Sequence, residues 1–223
     1  DLAPGFRTLD TALPADGSLG SCALMSALDP TNKPGLRKLF RAQRTLAFDT
    51  EPSLQDTIRD QVSQELRRRH GQGELHQYVG LYWPLPGEVD LTPLRCDLLD
   101  ELGVSAALPV ADGEGNLTYR PWSAAPLTQD GCGIPAPLDQ PDLRPEQLSL
   151  LLVPALAVDR RGIRLGYGGG YYDRLRCRKD WSEVPALVVI PGACVSVQPL
   201  PADPWDRPFQ GWVNETGFHQ ALP

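Results

Sequence analysis

The strongest constraint on the fold is a nearly continuous apolar run at residues 148–157, which leads directly into a glycine-rich segment. A strand this apolar has no polar face to turn toward water, so the run predicts a strand that is buried on both faces. Such strands are typical of parallel sheets with helices packed against each side. The glycines would then follow the carboxyl end of a buried strand.

Weaker patterns along the chain predict alternating strands and helices. Strands are expected at 77–83, 104–110, 117–122, 184–190 and 209–213, the last near an edge, with 123–147 mostly irregular. Helices are expected at 33–47, from a cap at Thr50 along the stripe Leu54, Ile58, Val62 and Leu66, from a cap at Thr92 to Gly103, and at 170–178.

This alternation predicts an α/β fold, a three-layer, Rossmann-like open sheet that is mostly parallel and has helices on both faces. Ligands of such sheets bind beyond the carboxyl ends of the strands. Residues 1–31, rich in Gly, Pro, Ala, Asp and Ser, predict a disordered tail. Residues 32–223 then form a single domain.

Composition argues against several kinds of partner. With a formal net charge of −7, the chain lacks the basic face needed for general binding to nucleic acid or to an anionic membrane, and neither is expected. It also lacks the long apolar run of a transmembrane helix. The five cysteines include no C-x-x-C pair, which indicates free thiols in a reducing compartment. We therefore expect a cytoplasmic protein.

The glycine-rich segment carries the strongest chemical signal. Four glycines fall within residues 166–170, and Arg164 and Arg174 flank them with positive charge. Glycines let a backbone approach a ligand closely, and free N–H groups at the start of the next helix favour an anion. The segment predicts a phosphate cradle; the alternative is a flexible turn. It is neither a dinucleotide fingerprint, because position 171 is tyrosine, nor a Walker loop, because no Gly-Lys-Ser/Thr follows.

Asp173 would lie one turn into the helix after this segment. A carboxylate beside bound phosphates can hold Mg²⁺, which takes one or two protein carboxylates together with nucleotide oxygens. The alternative is a helix-start aspartate that only interacts with the helix dipole. For Tyr171 and Tyr172 the alternative is core packing, which we expect for one of the two.

The letters VPALAVD at 153–159 and RLGYGGGYYDR at 164–174 resemble the signature of the 5-formyltetrahydrofolate cyclo-ligase family. Four further places agree, in the same order along the chain, so that the resemblance spans about 33–217. They are Lys33-x-x-Leu36-Arg37, YWPLPGEVD at 82–90, Trp122 followed by GIP at 133–135, and PWD at 204–206.

The resemblance implies closure of 5-formyltetrahydrofolate, with or without a polyglutamate tail, to 5,10-methenyltetrahydrofolate. ATP would be the co-substrate and Mg²⁺ the cofactor, with release of ADP and phosphate by a monomeric enzyme. The formyl oxygen would be phosphorylated and N10 would then attack the formyl carbon. No protein nucleophile is required, in agreement with a sequence that shows no Ser/His or Cys/His constellation.

The resemblance also implies roles for individual residues. Arg37, Arg164 and Tyr172 would be catalytic, and Asp173 and Asp206 would hold the metal. The folate would contact Trp83, Glu88, Trp122, Tyr167 and Tyr171. ATP would contact Lys33, Arg37, Arg164, Leu165, Gly166, Tyr167, Gly168, Gly169, Gly170, Tyr171 and Tyr172.

Simpler explanations exist for the charged residues among them. Lys33 and Arg37 could belong to a solvated helix face, which is what we expect of Lys38, Arg41 and Arg44, and Glu88 could be a loop charge in solvent. Three positions depart from the family pattern: Gly169 stands where many members have lysine, Ala136 where glutamate is frequent, and residues 193–196 lack the usual glutamine.

Two other classes of function stay open at this point. One is a non-catalytic relative that binds nucleotide or folate for regulation, and the joint presence of Lys33, Arg37, Glu88, Asp173 and Asp206 argues against it. The other is a nicotinamide oxidoreductase, which the failed dinucleotide fingerprint opposes.

Overall fold

The computed structural model describes residues 32–222, and these form an α/β fold. The predicted tail, 1–31, lies outside the described residues. The helices are α1 (Lys33–Thr50), α2 (Leu54–Gly71), α3 (Leu94–Leu102), α4 (Tyr171–Cys177) and α5 (Lys179–Ser182). The strands are β1 (Tyr78–Gly80), β2 (Ser105–Ala111), β3 (Leu117–Pro121), β4 (Thr128–Gln129), β5 (Pro135–Ala136), β6 (Leu148–Pro154), β7 (Ala157–Asp159), β8 (Arg164–Leu165), β9 (Ala186–Val189), β10 (Val195–Ser196), β11 (Gly211–Asn214) and β12 (Gly217–Gln220).

The main sheet has seven strands in the order β12-β11-β9-β6-β1-β2-β3. Its interior pairs are parallel, whereas β12 and β3 add antiparallel strands at the two edges. The apolar run that constrained the fold is the central strand β6, in which every residue is buried. The predicted mostly parallel, Rossmann-like sheet is therefore confirmed.

Alternate residues of β6 face two separate apolar clusters. Leu151 and Val153 pack in one cluster with residues of α1, α4 and α5. Leu150 and Leu152 pack in the other with residues of α2 and α3. Because successive side chains of a strand point to opposite faces, this division creates a helix–sheet–helix sandwich with three layers. No helix among residues 32–222 is long and apolar enough to cross a membrane.

Two predicted helix caps are wrong. Thr50 is the last residue of α1, and its hydroxyl donates to the carbonyl of Leu46 over 2.7 Å instead of capping α2. Thr92 precedes α3, but its N–H and hydroxyl both bind Asp90 in a local turn. Short polar side chains compete in this way for nearby backbone and side-chain partners. The predicted stop at Gly103 is confirmed, with φ of 64° at the helix end.

The predicted strand at 209–213 is not the last one. β11 is followed by β12, which pairs with it in an antiparallel hairpin and forms the sheet edge. Residues of β12 are half-exposed or exposed and mix polar with apolar side chains, so they carry no periodic signal. The irregular stretch at 123–147 also contains one small hairpin, β4 with β5.

Leu98 and Leu99 give a matched test of this packing, because they are neighbours on α3 but are 1% and 58% exposed. Leu98→Ala should lower the free energy of unfolding by about 2–5 kcal/mol, since it opens a cavity under the sheet. Leu99→Ala should change it by no more than about 0.5 kcal/mol. Urea denaturation measures both. Similar losses for the two variants would contradict the burial of this face of α3.

Candidate active site

Two cavities open beside the carboxyl end of β6, one on each side of the glycine-rich segment. The apolar cavity has a volume of about 240 Å³ and is lined mainly by aromatic and aliphatic side chains, together with Glu88, Asp130 and Arg164. The polar cavity has a volume of about 300 Å³ and is lined by charged side chains and loop glycines. Its charged residues are Lys33, Arg37, Arg164, Asp173, Arg174, Asp203 and Asp206.

Arg164 lines both cavities, and its side chain is only 5% exposed. It donates to the carbonyl of Pro154, at the end of β6, over 3.1 Å and to Asp173 Oδ1, in α4, over 2.9 Å. Its guanidinium also lies 5.2 Å from the ring centroid of Tyr172. Arg164 thus fixes the central strand, the glycine-rich segment and α4 relative to one another, and the two cavities meet at its side chain.

Helix α1 brings two predicted residues to the polar cavity. Arg37 donates through Nε to the carbonyl of Gly166 over 3.0 Å, which holds the glycine-rich segment against the helix. Lys33 forms an ion pair of 2.6 Å with Asp203 and lies 3.8 Å from Asp206. Sequence reasoning missed Asp203, although it stands three residues before Asp206 in the same turn.

Two loop glycines have positive φ angles, which residues with a side chain rarely adopt. Gly168 has φ of 111°, and Gly170, which precedes α4, has φ of 67°. Gly169 is not among the glycines with positive φ, and a Cβ there would lie 3.0 Å from the ring of Tyr171. Arg174 does not extend freely into the polar cavity, because it donates to the carbonyls of Gly115 and Gly169. It therefore braces the loop.

The three tyrosines of the segment all line the apolar cavity and pack partly against the core. Burial raises the pKa of Tyr167 and the pKa of Tyr172, so both hydroxyls keep their protons at neutral pH. The hydroxyl of Tyr171 accepts from the Cys132 thiol over 3.0 Å. Core packing and cavity lining are therefore not alternatives here, because the same rings do both.

Glu88 is not a loop charge in solvent, since it is 6% exposed and lines the apolar cavity. Its Oε2 accepts from the N–H of Leu85 over 2.8 Å, whereas Oε1 has no partner at hydrogen-bonding geometry within residues 32–222, although the Tyr167 hydroxyl is near enough to lower the pKa of Glu88. Burial raises the pKa of Glu88; the Tyr167 hydroxyl, the Leu85 N–H and the charge of Arg44 oppose this. A buried carboxylate oxygen without a donor favours a ligand that brings one.

The prediction that Arg44 lies on a solvated face is wrong. Arg44 is 6% exposed and donates to the Tyr167 hydroxyl over 2.5 Å and to the carbonyl of Pro86 over 3.3 Å. Lys38 and Arg41 are exposed, as predicted. The sequence does indicate that Arg44 is buried, because Leu36, Phe40 and Arg44 recur every four residues and so share the buried face of α1.

Only one of the two tryptophans that resemble folate-binding positions lines the apolar cavity. Trp83 lines the apolar cavity, but Trp122 is not among its lining residues. Trp122 instead packs edge-on against Trp83, with ring centroids 6.1 Å apart, and carries the guanidinium of Arg95 at 5.2 Å from its own ring. Its place in the fold is behind Trp83, where it supports that ring.

The two predicted metal residues, Asp173 and Asp206, both line the polar cavity. Within residues 32–222, no group of three or more His, Cys, Asp or Glu side chains is arranged to hold a metal ion by itself. Asp173 uses Oδ1 to accept from Arg164, and Asp206 uses Oδ2 to accept from the N–H of Asp203. Such a pair fits an ion that takes few protein carboxylates and completes its shell with phosphate oxygens and water.

Comparisons with known proteins agree with the resemblance in the sequence. Residues 30–214 match the model of the 5-formyltetrahydrofolate cyclo-ligase family. The Escherichia coli (strain K12) 5-formyltetrahydrofolate cyclo-ligase is 35% identical over 144 residues, 61% of this chain and 76% of the relative. The Haemophilus influenzae 5-formyltetrahydrofolate cyclo-ligase is 38% identical over 137 residues, 59% of this chain and 72% of the relative.

Solved structures are similar over most of the chain. The 5,10-methenyltetrahydrofolate synthetase of Aquifex aeolicus superposes with a TM-score of 0.69 at 29% identity, covering 86% of this chain and 93% of that one. A 5,10-methenyltetrahydrofolate synthetase from Mycoplasma pneumoniae gives a TM-score of 0.62 at 20% identity, covering 82% and 99%. At that identity the second likeness concerns the fold alone.

Glu88 provides a pH test of the site. Its pKa is raised from 4.5 in the folded protein, so folding favours the protonated form. That stabilising contribution is complete below the unfolded pKa and is lost as pH rises through the folded pKa. Glu88→Gln, which stays neutral, should therefore raise the melting temperature relative to the parent protein more at pH 7.5 than at pH 4.

Thermal unfolding across this pH range measures the difference, with Glu114→Gln on an exposed turn as the matched control. A Glu88→Gln effect that is the same at both pH values would show that the carboxyl is not destabilised by burial.

Proposed function

The chain belongs to the 5-formyltetrahydrofolate cyclo-ligase family, and we propose that it closes 5-formyltetrahydrofolate to 5,10-methenyltetrahydrofolate with ATP and Mg²⁺, releasing ADP and phosphate. One observation carries the ATP-dependent part of this proposal. The apolar cavity suits a flat ring system, the polar cavity suits a polyphosphate, and Arg164 lines both. Two substrates bound in these cavities would meet at a buried cation.

The apolar cavity supports the assignment of the folate. Trp83 and the tyrosines offer flat surfaces on which a pterin ring can stack. The pterin edge carries adjacent N–H donors, and Glu88 Oε1 is a buried acceptor without a partner among the described residues. Apolar walls with one well-placed polar group are the usual design of a small-molecule pocket. Trp122 acts in this scheme through Trp83.

The polar cavity supports the assignment of ATP. Lys33, Arg37 and Arg164 bring positive charge to it, and the glycines leave the loop backbone open to close approach. Lys33 is paired with Asp203 and Arg164 with Asp173, so the phosphates would compete with these carboxylates for the cations. A bound Mg²⁺, held by Asp173 and Asp206 together with nucleotide oxygens, would neutralise phosphate charge.

The chemistry explains the need for a nucleotide. The formamide oxygen leaves poorly, so transfer of the γ-phosphoryl group to it creates a phosphate leaving group and an electrophilic carbon. N10 then forms a bond to that carbon and loses its proton, the carbon–oxygen bond breaks, and phosphate departs as the ring closes. The protein supplies positioning and charge compensation during the transfer.

Arg164 and Tyr172 are the groups that we assign to that step. The guanidinium of Arg164 is buried and lines both cavities, so it would be close to the charge that develops on the transferring phosphoryl oxygens, and a donor fixed in advance in a buried site is effective in that role. Tyr172 keeps its proton because burial raises its pKa, so it remains a hydrogen-bond donor. Arg37 holds Gly166 and thereby fixes the loop that faces the phosphates.

We propose the cytoplasm as the place of action. Cys96, Cys132, Cys177 and Cys194 are free in the described residues, as expected of a protein that works in a reducing compartment. Together with the folate substrate, this supports the cytoplasm as the place of action.

The direct test is to mix the protein with Mg-ATP and 5-formyltetrahydrofolate and to follow the absorbance of the methenyl product together with the release of ADP. We expect equal amounts of product and ADP, and no ADP when either the folate or Mg²⁺ is omitted. Methenyl product formed without ATP, or ATP turnover without the folate, would contradict the proposed reaction.

Asp173→Asn tests the proposed role of Asp173 in binding Mg²⁺. The variant should still fold, because Asp173 is half-exposed and the amide oxygen of asparagine can still accept from Arg164, but it should need much more Mg²⁺ to reach half of its maximal rate, since an amide binds the ion more weakly. Titration of the rate with Mg²⁺ at saturating ATP gives the requirement. An unchanged Mg²⁺ requirement, with circular dichroism like that of the parent protein, would remove Asp173 from the metal site.

Arg37→Ala tests the proposed role of Arg37 in binding ATP. Lys38→Ala is the control, because it removes a positive charge from an exposed neighbouring position of the same helix. A charge-assisted contact contributes about 1.5–3 kcal/mol, so kcat/KM for ATP should fall about ten- to a hundredfold in Arg37→Ala. Gly169→Lys should restore part of this loss, because its φ permits a side chain, although the ring of Tyr171 must shift. Steady-state kinetics decide, and normal use of ATP by Arg37→Ala would contradict the role of α1 in nucleotide binding.

A further inference from the structure

Helix α1 holds the glycine-rich segment at two consecutive residues. Arg37 donates to the carbonyl of Gly166, and Arg44 donates to the hydroxyl of Tyr167. The two arginines are seven residues apart, which is about two helical turns, so they share one face of α1. Arg37 contacts the side of the segment that faces the polar cavity, whereas Tyr167 lines the apolar cavity.

Arg44 also holds the chain that carries Glu88. It donates to the carbonyl of Pro86 over 3.3 Å. Gly87 has φ of 82°, and a Cβ at that residue would lie 3.2 Å from Nη2 of Arg44, so the guanidinium lies directly against the backbone of this turn. One side chain therefore connects α1, the turn before Glu88 and the glycine-rich segment.

The surroundings of Arg44 are unusual for a buried cation. Its hydrogen-bond partners in the described part of the chain are a hydroxyl and a carbonyl, with no carboxylate among them. Burial of a charge without an ion-pair partner is costly, and apolar residues of similar volume would stabilise such a position better. The arrangement is therefore better explained by a role in the site than by stability.

We propose that Arg44 is a positioning residue for the folate, which holds Tyr167 and Glu88 in the apolar cavity in the arrangement that binds the pterin ring. This inference rests on the proposed function and deepens it, since it assigns folate recognition to a side chain that does not line the cavity. It also makes Tyr167 a fixed wall of the pocket rather than a mobile ring.

Electrostatics gives the proposal a second consequence. Glu88 faces Arg44 from α1, Arg164 from β8, Tyr167 from the glycine-rich segment, Tyr172 from α4, and Tyr82. Burial raises the pKa of Glu88, and the Tyr167 hydroxyl, the Leu85 N–H and the positive charges of Arg44 and Arg164 lower it, in that order. Removal of the Arg44 charge should therefore raise the pKa of Glu88 further. Because a carboxylate accepts from the pterin donors more strongly than a protonated carboxyl does, tight binding of the folate would then require a higher pH.

The experiment compares Arg44→Met, Arg44→Lys and Tyr167→Phe with the parent protein and with Lys38→Met, which removes a charge from an exposed position of the same helix. Binding of 5-formyltetrahydrofolate alone is measured by calorimetry, and KM for each substrate by steady-state kinetics. We expect about a tenfold weaker binding of the folate by Arg44→Met, since the hydrogen bonds to Tyr167 and Pro86 are both lost, with KM for ATP changed less than twofold.

The pH profile separates positioning from a general loss of structure. In Arg44→Met the acid limb of kcat/KM for the folate should move to higher pH, whereas in Arg44→Lys, which keeps the charge, it should stay near that of the parent protein. Tyr167→Phe should weaken folate binding and also move the limb to higher pH, because the Tyr167 hydroxyl helps to lower the pKa of Glu88. Lys38→Met should behave like the parent protein in every measurement.

Arg44→Met with parental folate affinity and an unmoved acid limb would overturn the proposal. If Arg44→Met does not fold, Tyr167→Phe decides, because it removes only the acceptor of the 2.5 Å hydrogen bond, and parental folate affinity in that variant would equally overturn it. Failure of the proposed function is distinguishable, since the parent protein itself would then neither bind 5-formyltetrahydrofolate nor form the methenyl product.

Discussion

The buried guanidinium of Arg164 is the interaction on which the arrangement of the site depends. It joins the carboxyl end of the central strand, through Pro154, to the first turn of α4, through Asp173, across the glycine-rich segment between them. A flexible loop with several glycines would otherwise sample many conformations, and ordering it costs entropy. Because Arg164 has both partners inside the protein, the loop is held in place before any ligand arrives.

The helix α1 completes this arrangement from the opposite side. Its buried residues Leu36, Phe40 and Arg44 fix the rotation of the helix against the sheet, and that rotation turns Lys33 and Arg37 toward the polar cavity. The same helix therefore reaches both cavities, one through Arg37 and the other through Arg44. Sites built on rigid elements in this way keep their geometry better than sites built on loops alone.

The apolar strand and the glycine signature were sufficient to predict the fold class, because long buried patterns and short motifs are local properties of the sequence. They also predict a candidate site at the glycine-rich segment, which lies between the two cavities. The edge strand β12 was not predictable, since its half-exposed residues have no periodicity and its pairing with β11 is a tertiary contact. The charge of Arg44 predicts exposure, whereas its spacing from Phe40 places it on the buried face of α1.

The other features that the sequence does not predict are contacts between residues that lie far apart along the chain. The ion pair of Lys33 with Asp203 joins residues far apart in the sequence, and no local pattern announces it. The position of Trp122 behind Trp83, rather than in the cavity, depends on packing between β3 and the segment after β1. Such details require the folded chain.

The proposed reaction requires direct phosphoryl transfer from ATP in one cavity to the formyl oxygen of a folate in the other. The most direct measurement uses 5-formyltetrahydrofolate labelled with ¹⁸O in the formyl group and unlabelled Mg-ATP, followed by mass analysis of the phosphate released. We expect each phosphate that accompanies a methenyl product to carry one ¹⁸O atom. Methenyl product accompanied by unlabelled phosphate would show that the formyl oxygen is never phosphorylated and would contradict direct phosphoryl transfer between the two substrates.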